Sequence, residues 1–508
     1  MQYPVWELEF GAPLMIAVIS ILHVYISHFA IGGGLFLVIT EHYAYRKNDA
    51  SLLEYLKKHS KFFALVTLVL GAITGVGIWF TIGLLSPAGT SSLIHIFVWG
   101  WAVEWVFFLV EIIAAIIYYI TWDRLSRKDH LRIGWIYFIS AFLSLVVING
   151  ILTFMLTPGQ WIENGNFWSA FLNPGYFPSL LTRTAFCISL AGIYALVTSA
   201  FLKNRDTKRS MFQYTGLWIL TGAALSLPAL KWYISTFPVP LGEYLSGTAP
   251  TIASAYQVIF WAGIIFVLLT VIPVVLPKNF NLGIAVVIMV YGLIVFGSAE
   301  WIRETARKPY VIYDYMYGNG LHKDNYSSIR ENGGLSAATI FVTNNIPDPD
   351  IDTGRDIFRI ACRSCHTVDG YRGLKDPVSG LDRDFLYGLV DKVENMKGNM
   401  PPFPGIETEK QALAEYLFSL NDDKIELLTG YNVFQKRCGF CHTRNKYRGL
   451  NDFFYGQYKE DILEMLPLLS DMIDLMPPWS GSDEETEMLA EYIAAWYTDE
   501  DTDKQYLP

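Results

Sequence analysis

Charge is what the first three hundred residues of this 508-residue chain have little of. Only 17% of the whole is charged, against 52% apolar and 15% aromatic, and the apolar excess is concentrated in one long run after another before residue 300. A distribution that uneven excludes a single soluble globule. Cysteine is scarce too: four of the five lie in two Cys-x-x-Cys-His motifs, and Cys187 stands alone in an apolar run, which excludes a disulfide framework. The opening segment "MQYPVWELEF" has no Lys or Arg, so a cleavable signal peptide is not expected and the first apolar helix serves as its own targeting signal. No nucleic-acid partner is expected for a chain of net charge −10.

What is present divides in two. From Glu331 onward the chain carries 32 Asp and Glu against 17 Lys and Arg, so the first 330 residues have a net charge of +5. Eight apolar spans occupy roughly 12–40, 62–85, 93–120, 133–156, 178–202, 212–235, 252–276 and 282–302, each long enough for a ~30 Å hydrocarbon core at 1.5 Å per residue. The loops "YRKND…EYLKKHSK", "DRLSRKDHLR", "LKNRDTKRS" and "PKNF" hold fourteen Lys and Arg, whereas the alternate loops hold only Lys231, with Arg183 just inside the next helix. The positive-inside rule then predicts a multi-pass protein of a bacterial inner membrane, with its N-terminus outside the cytoplasm. An even number of crossings brings the acidic tail out to the periplasmic side as well.

The tail repeats itself. "CRSCHTVDGYRGL" at 362–374 returns as "CGFCHTRNKYRGL" at 438–450, offset by 76 residues. Cys-x-x-Cys-His attaches c-type haem: two thiols add to the vinyl groups, and the adjacent histidine becomes an axial ligand. A redox dithiol or half a zinc site would explain one Cys-x-x-Cys, but neither needs the histidine, twice. Thus Cys362, Cys365 and His366, and Cys438, Cys441 and His442, predict two covalent haems c. A sixth ligand is expected at Met400 in "NMPPF" and Met476 in "LMPPW", each 34 residues after its histidine and stiffened by Pro-Pro. Met396 and Met472 do not precede a Pro-Pro pair. A helix precedes each motif ("GRDIFRIAC", "GYNVFQKRC") and another closes each unit ("EKQALAEYLFSL", "ETEMLAEYIAAW"), a tandem all-α repeat.

Ionisable residues inside the apolar spans are costly and therefore candidates for function. "ISILHVYISHFAIGGGLFLVITEH" places His23 and His28 within the first span, where the plain alternative is a hydrogen-bonded core histidine; "GGG" at 32–34 admits a flat ring or a neighbouring helix. In the third span Glu104 and Glu111 are seven apart and share a helix face. Buried carboxyls of this kind are either satisfied structural groups or parts of a proton path. After the eighth span, "EWIRETARKPYVIYDY" supplies Glu300, Arg303, Glu304 and Arg307, cations suited to haem propionates and a carboxylate able to ligate iron.

Those stretches carry a resemblance. "LHVYISHFAIGGGLFLVITE", "FFLVEIIAAIIYYITWDRLS" followed by "HLRIGW", "NG" at 149–150 and "RETARKPYVIY" make residues 10–315 similar to subunit I of the cytochrome bd oxidases, and the tail units resemble class I cytochrome c domains. The resemblance implies that His23 is the axial ligand of a high-spin haem, Glu111 a proton-path carboxyl, Glu304 the glutamate serving a paired high-spin haem, and Arg307 a matched arginine. Departures matter as well. The histidine early in the fifth span and the methionine in the seventh that hold that family's low-spin haem are absent, as is the glutamate that follows the quinol-loop lysine matched by Lys231. Glu104 is one position from its counterpart.

The expected architecture is all-α: an eight-helix transmembrane bundle over 1–309, a linker over 310–350, and cytochrome c domains over 351–425 and 426–508. The expected cofactors are two covalent haems c and one or two, at most three, non-covalent haems of b or d type. His23 and His28 are the candidate cofactor contacts in the bundle, with Glu104, Glu111 and Glu304 as candidate catalytic carboxyls. Three functions fit: a membrane haem oxidoreductase passing electrons from the c haems to a small oxidant such as O2, a quinol:cytochrome c oxidoreductase running the other way, and a non-catalytic anchored dihaem carrier. Expected partners are a second membrane subunit resembling bd subunit II, a soluble cytochrome c or other periplasmic redox protein, and quinol.

Overall fold

In a computed structural model, residues 5–245, 249–334, 349–421, 429–473 and 476–497 are described. Eight helices long and apolar enough to cross a membrane come first: α1 (Ala12–Lys47), α2 (Ala50–Leu85), α3 (Val98–Ile120), α4 (Arg127–Phe154), α5 (Tyr176–Ser199), α6 (Arg205–Ser235), α7 (Pro250–Val275) and α8 (Leu282–Ala306). Several overrun their apolar spans. α1 continues to Lys47 and α2 begins at Ala50, where the Asp49 side chain caps it by accepting from the Leu52 N–H. Lysines at 57, 58 and 61 are good helix formers but poor lipid solutes, so the helix outlasts the hydropathy signal.

Two things hold the bundle: apolar clusters in which Phe29, Phe36, Leu56 and Phe212 are buried, and the close approach of small residues. A Cβ added at Gly32 of α1 would lie 1.9 Å from the Cys187 carbonyl oxygen of α5, and one at Gly222 of α6 would lie 2.5 Å from the Ala185 carbonyl oxygen. Lipid tails are as apolar as leucine, so backbones that approach closely gain packing that bulky side chains would forfeit. A further set of large apolar side chains faces outward, among them Leu65, Phe80, Trp99, Trp105 and Leu268, each more than half exposed. A soluble protein would not tolerate such a belt.

All connections at one end of the bundle, after α2, α4, α6 and α8, lie on the side where the tail begins. Residues 310–334, expected to be part of a linker, are folded: β1 (Tyr310–Ile312) pairs antiparallel with β2 (Met316–Tyr317), and Val311, Ile312 and Met316 pack with Leu93, Phe97 and Phe154 of the bundle end. The remainder of that linker, 335–348, lies outside the described residues.

The tail is two similar helical units. In the first, α9 (Pro349–Ala361) crosses α11 (Glu407–Ser419), with α10 (Arg383–Asp391) between them in sequence. In the second, α12 (Gly430–Val433) and a following π turn, Phe434–Cys438, cross α14 (Asp483–Ala494), with α13 (Lys459–Met465) between. Glycine makes both crossings possible. Gly354 lies on the Ala412 carbonyl and Gly430 on that of Met488, where an added Cβ would sit 1.9 and 2.1 Å from oxygen.

Candidate haem sites and their wiring

Each Cys-x-x-Cys-His forms a helical turn that folds back on itself. The His366 N–H donates to the Cys362 carbonyl at 2.9 Å, and His442 does the same to Cys438 at 2.9 Å. The chain then returns through "YRGL". His366 Nδ1 donates to the Arg372 carbonyl at 3.1 Å, and His442 Nδ1 to that of Arg448 at 2.9 Å. Both arginines are left-handed, with φ of 54° and 42°, which turns their carbonyls inward. Thr367 and Thr443 lock the loops by donating Oγ1–H to the carbonyls of Tyr371 and Tyr447, at 3.1 and 3.0 Å.

The chemical consequence is a fixed tautomer: with Nδ1 protonated and engaged, Nε2 offers its lone pair to a metal. Burial also lowers the pKa of both imidazoles, which keeps them neutral. All four cysteines are half-buried free thiols, and burial pushes Cys362 and Cys438 up to about 12. Met400 and Met476 are half-buried, the latter packed against its unit's core. Two unpaired thiols, a free imidazole nitrogen and a thioether at a matched position form a donor set that fits a covalent haem c in each unit.

In the bundle the two histidines separate. His23 Nδ1 donates to Thr74 Oγ1 of α2 at 3.0 Å, while that hydroxyl donates on to the Leu70 carbonyl at 2.7 Å. Gly75 faces the imidazole, where a Cβ would be 3.2 Å from Cε1. Its Nε2 has no partner among the described residues, so His23 fits a haem ligand. His28 has both nitrogens engaged: Nδ1 donates to the Val24 carbonyl at 2.9 Å, and Nε2 accepts from Arg183 at 3.5 Å.

Arg183 opens a charged chain. It pairs with Glu300 at 3.0 Å; Glu300 holds Arg303 at 2.8 Å; Arg303 lies 3.7 Å from Glu304; and Glu304 is bonded to Arg307, with Lys308 at 4.0 Å. The structure thus links His28, Glu304 and Arg307 through this chain, while His23 is engaged by Thr74 of α2 and has no ion-pair or hydrogen-bond link to the chain among the described residues. Glu104 and Glu111 lie along the α3–α4 seam, accepting from Ser144 at 2.8 Å and Tyr137 at 3.1 Å. Each pair is seven residues from the next on both helices, about 10 Å along the seam.

Sequence reasoning passed over three groups. Arg183, 3% exposed, is legible as a cation just inside the fifth span, but the sequence gives it no functional role, although a cation in a span is itself a signal. Glu41 and His130, 0% and 1% exposed, form a 2.7 Å pair joined by Tyr118 at 2.7 Å from Glu41. The Arg372 and Arg448 carbonyls left no signal, since every residue has one.

The units dock in series. The first sits on the bundle end: the Tyr371 N–H donates to the Phe10 carbonyl at 3.2 Å, Arg372 donates to Thr251 at 3.3 Å, and the Tyr371 ring meets Trp301 edge-on at 6.2 Å. Glu7 pairs with Arg359 at 3.1 Å and with Arg363. The second unit sits on the first. Phe440 packs against the first unit's core, its carbonyl accepts from the Lys397 N–H at 2.9 Å, and Arg448 donates to Asn395 at 3.2 Å.

Comparison with known proteins agrees with this division. The family described as cytochrome bd terminal oxidase subunit I matches residues 12–232, and the one described as cytochrome c oxidase, cbb3-type, subunit III matches twice, at 349–417 and 426–493. No curated protein matches the chain. Among solved structures, the bd oxidase from Geobacillus thermodenitrificans is similar in fold, at 16% identity and a TM-score of 0.51, over 60% of this chain and 89% of that one. The chain is thus a multi-pass membrane haem protein in which a cytochrome bd subunit I-like domain is fused to two cytochrome c domains.

Proposed function

We propose that the chain is a respiratory oxidoreductase of the extracytoplasmic face of a bacterial inner membrane, passing electrons through its two c units to a haem site in the bundle where O2 or another small oxidant is reduced. The observation that carries this reading is the serial docking. The loop that fixes His366 also touches the bundle, and Tyr371 meets Trp301, the neighbour of Glu300 in the charged chain.

Bound haem supplies one-electron chemistry and, where a coordination position is open, a place for a gas. The residues do the rest. His23, with Nδ1 fixed by Thr74, would hold haem iron through Nε2. Glu111 and Glu104 hold and pass protons along the α3–α4 seam by way of Tyr137 and Ser144. Arg303 and Arg307 would neutralise haem propionates, and Glu304, held by Arg303, Arg307 and Lys308, would be free to ligate iron only on yielding one of these cations. A second membrane subunit is proposed to cover part of the apolar belt.

Two spectra test this. Carbon monoxide should shift the absorbance of a reduced b- or d-type haem in the purified chain, and His23→Ala should remove that haem while both c haems remain. Absence of any carbon monoxide response defeats the reading.

A further inference from the structure

The two c units are joined head to tail, and the register leaves one position open. The head of each unit is its Cys-x-x-Cys-His and YRGL edge. The first unit's head rests on the bundle through Arg363, Tyr371 and Arg372; the second unit's head rests on the first through Phe440 and Arg448. The surface that receives the second head is the first unit's segment before its methionine, Asn395, Met396 and Lys397, all half-buried there.

The same segment of the second unit, 76 residues on, is Asp471, Met472 and Ile473, and all three are exposed, Met472 by 59%. Leu468 beside them is 51% exposed where the first unit has Lys392. Lysine at 392 and 397 shows that these positions face outward rather than into a haem crevice, since a crevice would not take an ammonium group. A largely apolar receiving surface that no described residue covers therefore terminates the series.

We infer that Leu468, Asp471, Met472 and Ile473 form the docking surface for a soluble class I cytochrome c that presents its own Cys-x-x-Cys-His edge, taking the place in the series that follows the second unit. A second copy of the chain is the wrong occupant, because both of its heads are already seated. Charge selects the partner. Where Asn395 accepts Arg448, the second unit has Asp471, which pairs better with a cation, and residues 429–497 carry eleven acidic against six basic side chains. The partner's edge is therefore basic. This rests on the electron-carrying reading above and names where such a carrier binds.

The test is binding rather than turnover. The full chain in detergent is titrated with a basic mitochondrial-type cytochrome c whose iron is replaced by zinc, with fluorescence quenching as the readout. Affinity should weaken with salt. It should fall at least tenfold in Met472→Ser/Ile473→Ser and in Asp471→Lys, with both c haems retained and their potentials unchanged. It should change less than twofold in Glu484→Lys, an exposed charge elsewhere on the unit. Equal affinity in the wild type and both patch variants, an equal loss in Glu484→Lys, or a patch that instead drives self-association would overturn the proposal. Intact binding in a chain that shows no carbon monoxide response would sink the oxidant reading alone and leave the docking surface standing.

Discussion

The two tail units are the same device in different company. Their cradles agree bond for bond: the thiol-bearing turn, the imidazole fixed by an arginine carbonyl, the threonine lock, the glycine at the helix crossing. They diverge where they meet a neighbour. Position 364 is a serine beside Gly318, whereas its equivalent 440 is a half-buried phenylalanine packed against the first unit's core. Holding a haem is a local task, solved once and copied. Being wired to a particular neighbour is not local, and that is where the copies have parted.

The sharpest way to break the likeness is to remove each attachment in turn. Cys362→Ala/Cys365→Ala and Cys438→Ala/Cys441→Ala should each lower the covalent haem count from two to one. If the units conduct in series, the first double variant should cut reduction of the membrane haem by a soluble cytochrome at least a hundredfold. The second should do the same for the soluble cytochrome yet spare small-molecule donors that reach the first unit directly. Stopped-flow absorbance separates the two. Identical behaviour with both classes of donor would mean the units work in parallel.

A smaller effect should show that the scaffolds are equivalent. Gly354→Val and Gly430→Val drive methyl groups into the carbonyls of Ala412 and Met488, and overpacking of this kind costs typically ~1–3 kcal/mol. Both should lower the temperature at which the corresponding unit unfolds, read from the loss of its ligation-sensitive haem absorbance, by similar amounts. A large drop in one unit alone would mean that docking, rather than the crossing, carries that unit's stability.

How much of this was legible in the sequence follows the same division. The spans, the attachment motifs and the paired methionines are properties of short stretches, and hydropathy and spacing exposed them. α1 runs on beyond its apolar span and α2 starts ahead of its own, because lysine-rich turns stay helical outside the lipid. The charged chain was hidden for another reason. His28, Arg183 and Glu300 come from α1, α5 and α8, 117 or more residues apart, and a single sequence holds no record of which spans pack together. Glu304 was legible as a carboxyl at a bundle end but not as one held by Arg303, Arg307 and Lys308.

The finest comparison concerns one residue type with two duties. In Arg372 and Arg448 the carbonyl fixes the proximal histidine while the guanidinium reaches to the preceding unit, Thr251 in one case and Asn395 in the other. Substitution by methionine keeps the carbonyl and cuts only the reach, so neither Arg372→Met nor Arg448→Met should lose haem. Each should loosen a single junction by about 1 kcal/mol, roughly fivefold in the docking equilibrium. Hydrogen exchange should then rise in 5–11 for Arg372→Met and in 393–397 for Arg448→Met. If either variant also shifted its own haem's midpoint potential by more than a few tens of millivolts, the carbonyl and the guanidinium would be coupled, and the docking contact would be tuning the iron as well as placing it.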